Sequence, residues 1–374
     1  MNLYQDVAKP LLFRCDPEWI HHRTLDVGAA LGALRPGRAL LRALFAYRDD
    51  RLAVRVAGID FANPIGLAAG FDKNGCAIRA LSALGFGFVE IGSVSAHASD
   101  GNARPRLFRL PIDEAIVVNY GVPNDGAEAV ARRINKQSTA APLGVNIVET
   151  NTGRAPVADE VLAEFVAALW LFCARADYIT LNLNCPNTTA GKSPFDDAGL
   201  LHALMQQYAE IEDIPPVFLK FTAHADGTRM EAMLSAVESF DFVKGFVFNL
   251  PTGKDYPLRS PAALTNSMPG TLCGAPTQML LDEALAFWYR HIDRARHVLI
   301  GSGGVRTAAD AYRKICLGAS LVQVYTALVY QGPGLVQKIN RGLVELLERD
   351  GFNSIVEAVG MENRPNNKTC EGHE

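Results

Sequence analysis

The stretch YITLNLNCPNTTAGK, residues 178–192, joins an apolar run to a polar cluster. The run has the length and composition of a buried strand, and it ends at Cys185, which Asn182, Asn184 and Asn187 bracket. A strand that only builds a core needs no such cluster at its end. The stretch therefore predicts a buried strand whose C-terminal end carries chemistry.

Seven more apolar runs repeat this arrangement on either side of it. They are NPIGLAAG (63–70), FVEIGSV (88–94), APLGVNIV (141–148), VFLKFT (217–222), GFVFNL (245–250), HVLIGSGG (297–304) and LVQVYTAL (321–328). Helical patterns such as DEVLAEFVAALWLFCARA (159–176) separate the runs. Short apolar strands that alternate with helices indicate a parallel sheet covered on both faces. Eight such units predict the α/β class and a (β/α)8 TIM barrel, with the polar ends gathered at its C-terminal mouth.

The first fifty residues have a different pattern. Asp16-Pro17 starts one predicted helix, and a second pattern rich in leucine and arginine follows a predicted break at Pro36-Gly37. Two amphipathic helices before a barrel fit either a cap over its bottom or a pair that lies on a membrane surface. The pattern alone favours the cap. We expect a helical extension over residues 1–52, the barrel over 53–360 and a polar tail over 361–374.

Composition excludes several classes of function. The 374 residues are 49% hydrophobic and carry a formal net charge of -4, which gives no reason to propose a nucleic-acid partner. The seven cysteines are scattered without a CxxC pair, so we expect reduced thiols rather than a disulfide frame or a metal site. We identify no stretch with the roughly 20 apolar residues that a membrane span requires.

Three features at the predicted mouth suggest a site. GSGG (301–304) and Tyr325-Thr326 fit an anion site built from backbone N–H groups, or a plain glycine turn. Lys73 and Lys220 either extend to solvent or stabilise negative charge on a bound ring. Cys185 is either an acid/base group or an inert cysteine at a strand end.

Several motifs in order resemble the dihydroorotate dehydrogenases, which are FMN-containing (β/α)8 flavoprotein oxidoreductases of pyrimidine biosynthesis. They are GLAAGFDKNG, EIGSV, GNARPRLFRL, TLNLNCPNT, LIGSGG and GASLVQVYTALVYQGP. The segment DPEWIHH and the helical pair after it resemble the membrane-associated, quinone-reducing class, whose helices form an apolar tunnel to the flavin. The resemblance therefore favours a tunnel over a mere cap. It implies a peripheral enzyme on the cytoplasmic side of the cell membrane.

The resemblance also implies roles for individual positions. The FMN contacts would be Ala68, Ala69, Ser93, Asn146, Asn182, Lys220, Gly274, Gly303, Gly304, Tyr325 and Thr326. Substrate would be held by Lys73, Asn182, Asn187 and Asn249, with His21 and Arg109 beside the quinone. Lys73 and Cys185 are the implied catalytic pair, with Cys185 as the base that removes a proton alpha to a carbonyl. No metal is expected.

The chain departs from the family pattern on the substrate side. Cysteine replaces the serine of quinone-linked members at position 185, and Glu149 replaces a lysine. In AIVVNYGVPN (115–124) the ungapped match puts Val118 where the family has a ring-binding asparagine, whereas a one-residue shift would give that role to Asn119. Leu250 replaces a threonine.

These departures leave two main hypotheses. The first is oxidation of dihydroorotate with a quinone acceptor. The second is a paralogous flavin-dependent dehydrogenase or desaturase that acts on a different, less polar cyclic substrate. A barrel kept only as a binding or scaffold protein and a flavin-free phosphate-binding lyase are further alternatives. GSGG, Tyr325-Thr326 and Lys220 disfavour the scaffold protein, and Lys220 with GLAAGFDK disfavours the lyase.

Overall fold

The structure is a computed structural model that describes residues 3–135, 137, 139–188 and 194–363. Its strands are β1 Val54–Val56, β2 Ile59–Phe61, β3 Ile65–Leu67, β4 Phe88–Val94, β5 Leu107–Leu110, β6 Ala115–Val118, β7 Leu143–Ile147, β8 Tyr178–Asn182, β9 Val217–Thr222, β10 Val243–Asn249, β11 Thr271–Gly274, β12 Val298–Gly301 and β13 Ala319–Val324. Its helices are α1 Lys9–Leu12, α2 Pro17–Ala33, α3 Arg35–Phe45, α4 Ile78–Ala83, α5 Ala127–Ile134, α6 Ala158–Phe172, α7 Ala198–Ala209, α8 Gly227–Val237, α9 Ala262–Asn266, α10 Gln278–His291, α11 Ala308–Cys316, α12 Thr326–Gln331, α13 Leu335–Asp350 and α14 Ile355–Ala358. The predicted tail lies outside the described residues from position 364 onward.

Eight parallel strands close into a barrel in the order β3, β4, β7, β8, β9, β10, β12 and β13. Each of the eight apolar runs overlaps one of these strands, so the predicted (β/α)8 barrel is confirmed. Aromatic side chains fill the interior edge to face, with ring centres of Tyr178 lying 6.2 Å from Phe88 and 5.4 Å from Phe218. Gly66 is needed there because a Cβ on it would lie 2.1 Å from the Phe88 ring.

The two predicted N-terminal helices are present as α2 and α3. Asp16 caps α2 by accepting a 2.8 Å hydrogen bond from the backbone N–H of Trp19. The predicted break at Pro36-Gly37 is wrong by two residues. Leu34 is the extended residue that separates the helices, and Pro36 lies in the first turn of α3, where its missing N–H costs no helical hydrogen bond.

Helix α2 packs closely on α4 through its small residues. A Cβ on Gly32 would lie 2.8 Å from the backbone nitrogen of Ala80, so the two helices approach almost to backbone contact. Helices α2 and α3 expose large apolar side chains, namely Trp19, Val27, Leu31, Leu40 and Leu44. Within the described ranges no helix combines the length and apolarity needed to cross a bilayer.

A small antiparallel sheet at the mouth was not predicted. Strand β6 pairs with β5 on one side and with β11 on the other. Its register places Val118 opposite both Leu107 and Thr271. The strands are four residues long and come from distant segments, so no periodicity along the chain marks them. This sheet fixes which side chains of residues 115–118 face the barrel mouth.

Candidate active site

A cavity of about 1230 Å³, counted to its opening into solvent, lies at the C-terminal ends of the barrel strands. Most of the predicted site residues line it. They are Ala68, Ala69, Lys73, Ser93, Asn182, Cys185, Asn187, Lys220, Asn249, Gly274, Gly303, Gly304, Tyr325 and Thr326. The parallel strands therefore bring together residues that are up to 258 positions apart in the sequence, from Ala68 to Thr326.

One end of the cavity is formed by the glycine turn after β12. Gly303 and Gly304 follow β12 with φ of 77° and 71°, values that side chains rarely adopt. A Cβ on Gly304 would lie 2.8 Å from the Cα of Gln278, so the backbone of α10 leaves no room for a side chain there. Glycine here leaves backbone N–H groups next to Thr326, where a phosphate group fits.

The centre of the barrel holds a buried carboxylate and two buried amides. Glu90 accepts hydrogen bonds from Asn146 at 2.9 Å and from Gln323 at 2.8 Å. It also accepts from the hydroxyls of Thr180 and Tyr178 at 3.0 and 3.2 Å. These bonds orient both amides with their N–H groups toward Glu90 and their oxygens away from it.

The hydrogen bonding of the two amide oxygens shows whether the cavity suits a flavin. Within the described part of the chain, Oδ1 of Asn146 and Oε1 of Gln323 are buried and accept no hydrogen bond. Buried acceptors without a donor are costly. Gln323 lines the cavity, and Asn146, on β7, shares Glu90 with it. A flat polar ring with an N–H donor would pair with a free amide oxygen here, a phosphate would accept from the glycine turn, and FMN carries both groups.

Cys185 lines the same cavity, in the turn after β8. Burial raises the pKa of its thiol above the ordinary value. The backbone N–H of Asn187 and the charge of Lys220 act in the opposite direction and favour the thiolate. Cys185 is therefore a thiol at rest, and the Asn187 N–H and the Lys220 charge offset only part of the cost of ionising it.

Asparagine side chains next to Cys185 form a connected set. Asn249 donates 2.7 Å hydrogen bonds to Oδ1 of Asn182 and to the carbonyl oxygen of Asn184. Asn182 in turn donates to the hydroxyl of Ser93 at 3.1 Å. Oδ1 of Asn187 is buried and accepts no bond within the described residues. It is thus available to an N–H donor on a bound ring.

The side chain of Asn119 does not line this cavity. The register of β6 puts Val118 in the cavity wall, because successive side chains of a strand point to opposite faces. The side chain of Asn119 instead accepts a 3.1 Å hydrogen bond from Asn102. The one-residue shift that would make Asn119 the ring-binding amide is therefore not present in this backbone.

A second, apolar cavity lies under α2 and α3, with about 1290 Å³ counted to its opening. His21 and Arg109 both line it, as the resemblance implied. His21 bonds to the carbonyl oxygen of Phe71 at 2.8 Å, and burial lowers its pKa to about 3, so the ring is neutral near pH 7 and donates through Nε2. Arg109 donates to the carbonyl oxygens of Leu12, Phe13 and Cys15.

Tyr325 lines both cavities. Its ring centre lies 6.1 Å from that of Phe71, which in turn lies 4.9 Å from the ring of His21. A line of three rings therefore runs from the polar cavity into the apolar one.

Sequence reasoning missed several residues of the polar cavity. Tyr120 and Gln323 line it, as do Glu114 and Arg306, which form an ion pair of 3.0 Å. Gln323 lies inside an apolar strand run, and that exception to the pattern is a usable signal. Nothing near Glu114 or Arg306 in the sequence indicates that they meet, because the pair joins segments 192 residues apart.

The fold and the paired cavities define a barrel oxidoreductase with one polar and one apolar site. The family model described as "Dihydroorotate dehydrogenase" matches residues 51–347. The chain belongs to the dihydroorotate dehydrogenase family.

Individual relatives resemble the chain over nearly its whole length. A "Dihydroorotate dehydrogenase (quinone)" of Haloarcula marismortui is 37% identical over 367 residues, which cover 96% of this chain and 99% of the relative. One of Acidithiobacillus ferrooxidans is 38% identical over 365 residues, covering 95% and 98%. The crystal structure of DHODH from Eimeria tenella in complex with ferulenol is 25% identical, with a TM-score of 0.78 over 94% of this chain and 96% of that one.

Proposed function

We propose that the chain oxidises dihydroorotate to orotate and passes the electrons to a quinone. The observation that carries the proposal is the pair of cavities that meet at Tyr325, one polar and holding Cys185, the other apolar and open beneath α2 and α3. The full-length similarity to proteins named dihydroorotate dehydrogenase (quinone) supports this substrate over a less polar ring.

We further propose FMN as the cofactor. Its phosphate would lie at Gly303, Gly304 and Thr326, and its ring would supply an N–H donor near Gln323 and Asn146. Ala68, Ala69, Ser93, Asn182, Gly274 and Tyr325 complete the proposed contacts. When bound, FMN supplies the two-electron acceptor of the reaction. Lys220, on β9 and among the cavity residues, would neutralise negative charge at the edge of the ring.

Side chains of the polar cavity would bind the substrate and remove its proton. Lys73 would hold the carboxylate of the substrate by its ammonium group, and Asn182, Asn187 and Asn249 would hold the ring edges. The Cys185 thiolate would take the proton from the carbon next to the carbonyl. Because Asn249 is itself held by Asn182 and Asn184, these side chains are oriented before substrate arrives.

The apolar cavity would receive the quinone beside His21 and Arg109. A membrane-bound acceptor has to reach it, and the exposed apolar side chains of α2 and α3 surround that part of the molecule. We therefore propose peripheral contact with a membrane through these two helices, on its cytoplasmic side.

The test is anaerobic. The purified holoprotein is mixed with dihydroorotate, and the flavin absorbance is followed before and after a soluble quinone is added. We expect rapid bleaching by dihydroorotate and recovery of colour with the quinone. A yellow protein that dihydroorotate leaves yellow would overturn the proposed substrate, and bleaching without recovery would overturn the proposed acceptor.

A further inference from the structure

Asn102 lies in the loop between β4 and β5, outside the polar cavity and next to the turn that carries Asn187. Its amide nitrogen Nδ2 donates a 3.1 Å hydrogen bond to the main-chain carbonyl oxygen of Asn187. The same nitrogen donates a second 3.1 Å bond to Oδ1 of Asn119. The proposed function gives Asn102 no part, so any effect that it has on the substrate has to act through Asn187.

The polar groups of Asn102 are all bonded, which fixes the direction of its amide. Oδ1 accepts a 3.2 Å hydrogen bond from Nδ2 of Asn151, and this leaves the amide nitrogen of Asn102 directed toward Asn187. The backbone N–H of Asn102 donates to the carbonyl oxygen of Tyr120 at 2.9 Å. Its own carbonyl oxygen accepts from Arg106 at 2.8 Å. Main chain and side chain of Asn102 are therefore held in one orientation.

The loop around Asn102 is closely packed and anchored to α2. A Cβ on Gly121, which has a φ of 63°, would lie 2.3 Å from Oδ1 of Asn102. Arg106 is itself held by a 2.8 Å bond to the carboxylate of Glu18 on α2, and both side chains are less than 10% exposed. Asn102 is thus a firm support for the turn that it touches.

Asn187 needs such a support because it lies in a turn beyond the end of β8, where no ladder of strand hydrogen bonds holds the backbone. Its carbonyl oxygen faces Asn102, whereas its side chain lines the polar cavity. Oδ1 of Asn187 is buried and accepts no bond within the described residues. The bond from Asn102 therefore holds the main chain of a residue whose free amide oxygen is turned to the ligand.

We propose that Asn102 is a positioning residue for the substrate, which holds the main chain of Asn187 so that the Asn187 amide meets the bound ring. The inference deepens the proposed function and rests on it, because the ring is that of dihydroorotate or orotate. An amide that is already oriented loses less conformational freedom when the ligand binds, so the affinity is higher. Asn119, the other acceptor of the Asn102 amide, does not line the cavity, so that bond bears on the loop alone.

The experiment is a titration of the flavin spectrum of the holoprotein with orotate. Asn102→Ala removes the bond to Asn187 and should weaken orotate binding by about 2- to 12-fold, the range that one hydrogen bond supplies. Asn187→Ala removes the amide itself and should weaken binding at least as much. The double variant should bind orotate no more weakly than Asn187→Ala alone, because two residues that act through one contact do not have additive effects.

Two controls separate this role from a general loosening of the protein. Asn119→Ala removes the other partner of the Asn102 amide and keeps the bond to Asn187, so the affinity for orotate should stay at the wild-type value. Asn363→Asp removes a 2.8 Å bond from a side-chain amide to the main-chain carbonyl of Leu317, which precedes β13 at the opposite end of the barrel from the mouth. It should also leave the affinity unchanged.

Three results would overturn the inference. The first is an Asn102→Ala variant that binds orotate as tightly as the wild type. The second is a double variant whose loss is the product of the two single losses, because Asn102 would then act elsewhere than on Asn187. The third is an Asn119→Ala variant that binds as weakly as Asn102→Ala, because the loop as a whole would then be responsible.

Asn102→Asp decides the question if Asn102→Ala folds poorly. Aspartate keeps the shape of the side chain and the acceptor for Asn151 but removes both donors. Direct repulsion of orotate by the added charge would persist in the Asn187→Ala background, whereas the loss of positioning would not. A wild-type holoprotein whose flavin spectrum does not respond to orotate would instead overturn the proposed function.

Discussion

The ammonium nitrogen of Lys73 lies 3.8 Å from the centre of the Tyr120 ring and donates a 2.7 Å hydrogen bond to the carbonyl oxygen of Gly70. Burial and the neighbouring charge of Arg106 lower the pKa of Lys73 to about 8. The π-face of Tyr120 and the Gly70 carbonyl hold the positive charge in place. The group proposed to bind the substrate carboxylate is thus close to losing its charge at moderately alkaline pH.

The first prediction concerns the affinity for orotate as a function of pH. Lys73 is charged below about pH 8 and neutral above it, so binding of the anion should weaken as pH rises through that value. Tyr120→Leu removes the ring and should move the fall in orotate affinity to lower pH. Tyr120→Phe keeps a ring and should leave the pH of that fall unchanged. Titration of the flavin spectrum with orotate measures both, and a flat affinity between about pH 7 and about pH 9 would contradict the role of Lys73.

The second prediction concerns the base. Cys185→Ala should slow flavin reduction by about 10² to 10⁴, the usual contribution of a general base. Cys185→Ser keeps a proton-bearing group of higher pKa, so its rate of flavin reduction should lie between those of the alanine variant and the wild type. Cys173→Ala changes a half-buried cysteine outside the cavity and should leave the rate intact. Anaerobic rapid mixing with dihydroorotate measures all three. An unslowed alanine variant would remove Cys185 from the mechanism.

The third prediction separates the two half-reactions. Arg109 holds the carbonyl oxygens of Leu12, Phe13 and Cys15, and so fixes the segment that closes the apolar cavity. Arg109→Leu should therefore slow reoxidation of the flavin by quinone and leave its reduction by dihydroorotate unchanged. Arg14→Leu, an exposed neighbour in the same segment, is the control. Equal effects of Arg109→Leu on both half-reactions would argue against a separate quinone site.

The fourth prediction concerns stability. Glu18 of α2 forms a 2.8 Å ion pair with Arg106, and both side chains are less than 10% exposed. Glu18→Ala leaves a buried unpaired guanidinium and should cost about 3–5 kcal/mol of unfolding free energy. Glu128→Ala breaks an exposed pair with Arg132 and should cost less than about 1 kcal/mol. Urea unfolding of the three proteins measures the difference.

The Glu18 pair also predicts a pH dependence of stability. The ion pair with Arg106 lowers the pKa of Glu18 below its ordinary value despite burial, which acts to raise it. The stabilisation should therefore be complete above the unfolded pKa of about 4.3 and should be lost as pH falls below it. A wild-type protein no more acid-sensitive than Glu18→Ala would contradict this.

The fifth prediction tests the altered substrate wall. Val118 lies in the cavity wall with 7% of its surface exposed. Val118→Asn would add one amide to the bound ring, worth about 0.5–1.5 kcal/mol, so orotate should bind about 2- to 12-fold more tightly. Val118→Ala removes two methyl groups without adding a donor and should not tighten binding. Weaker binding by the asparagine variant would mean that the ring does not approach this position.

The eight barrel strands, the two N-terminal helices and the glycine turn of the anion end were predictable because each is a local pattern. An apolar run such as VFLKFT indicates a strand, and a motif such as GSGG indicates a turn, from its own residues alone. The family motifs likewise placed Cys185, Lys73 and the asparagines at strand ends, and the closed barrel brings strand ends together. The break between α2 and α3 was misplaced because proline suits the start of a helix as well as its end.

The sequence by itself determined the barrel, the family and the residues at its mouth. Only the tertiary structure decided that Val118 rather than Asn119 faces the cavity, since the register of β6 depends on its pairing with β5 and β11. It also decided that Gln323 and Asn146 share the carboxylate of Glu90. These contacts lie between segments far apart in the chain, and hydrogen bonding and burial at such sites depend on geometry that no local pattern of residue types encodes.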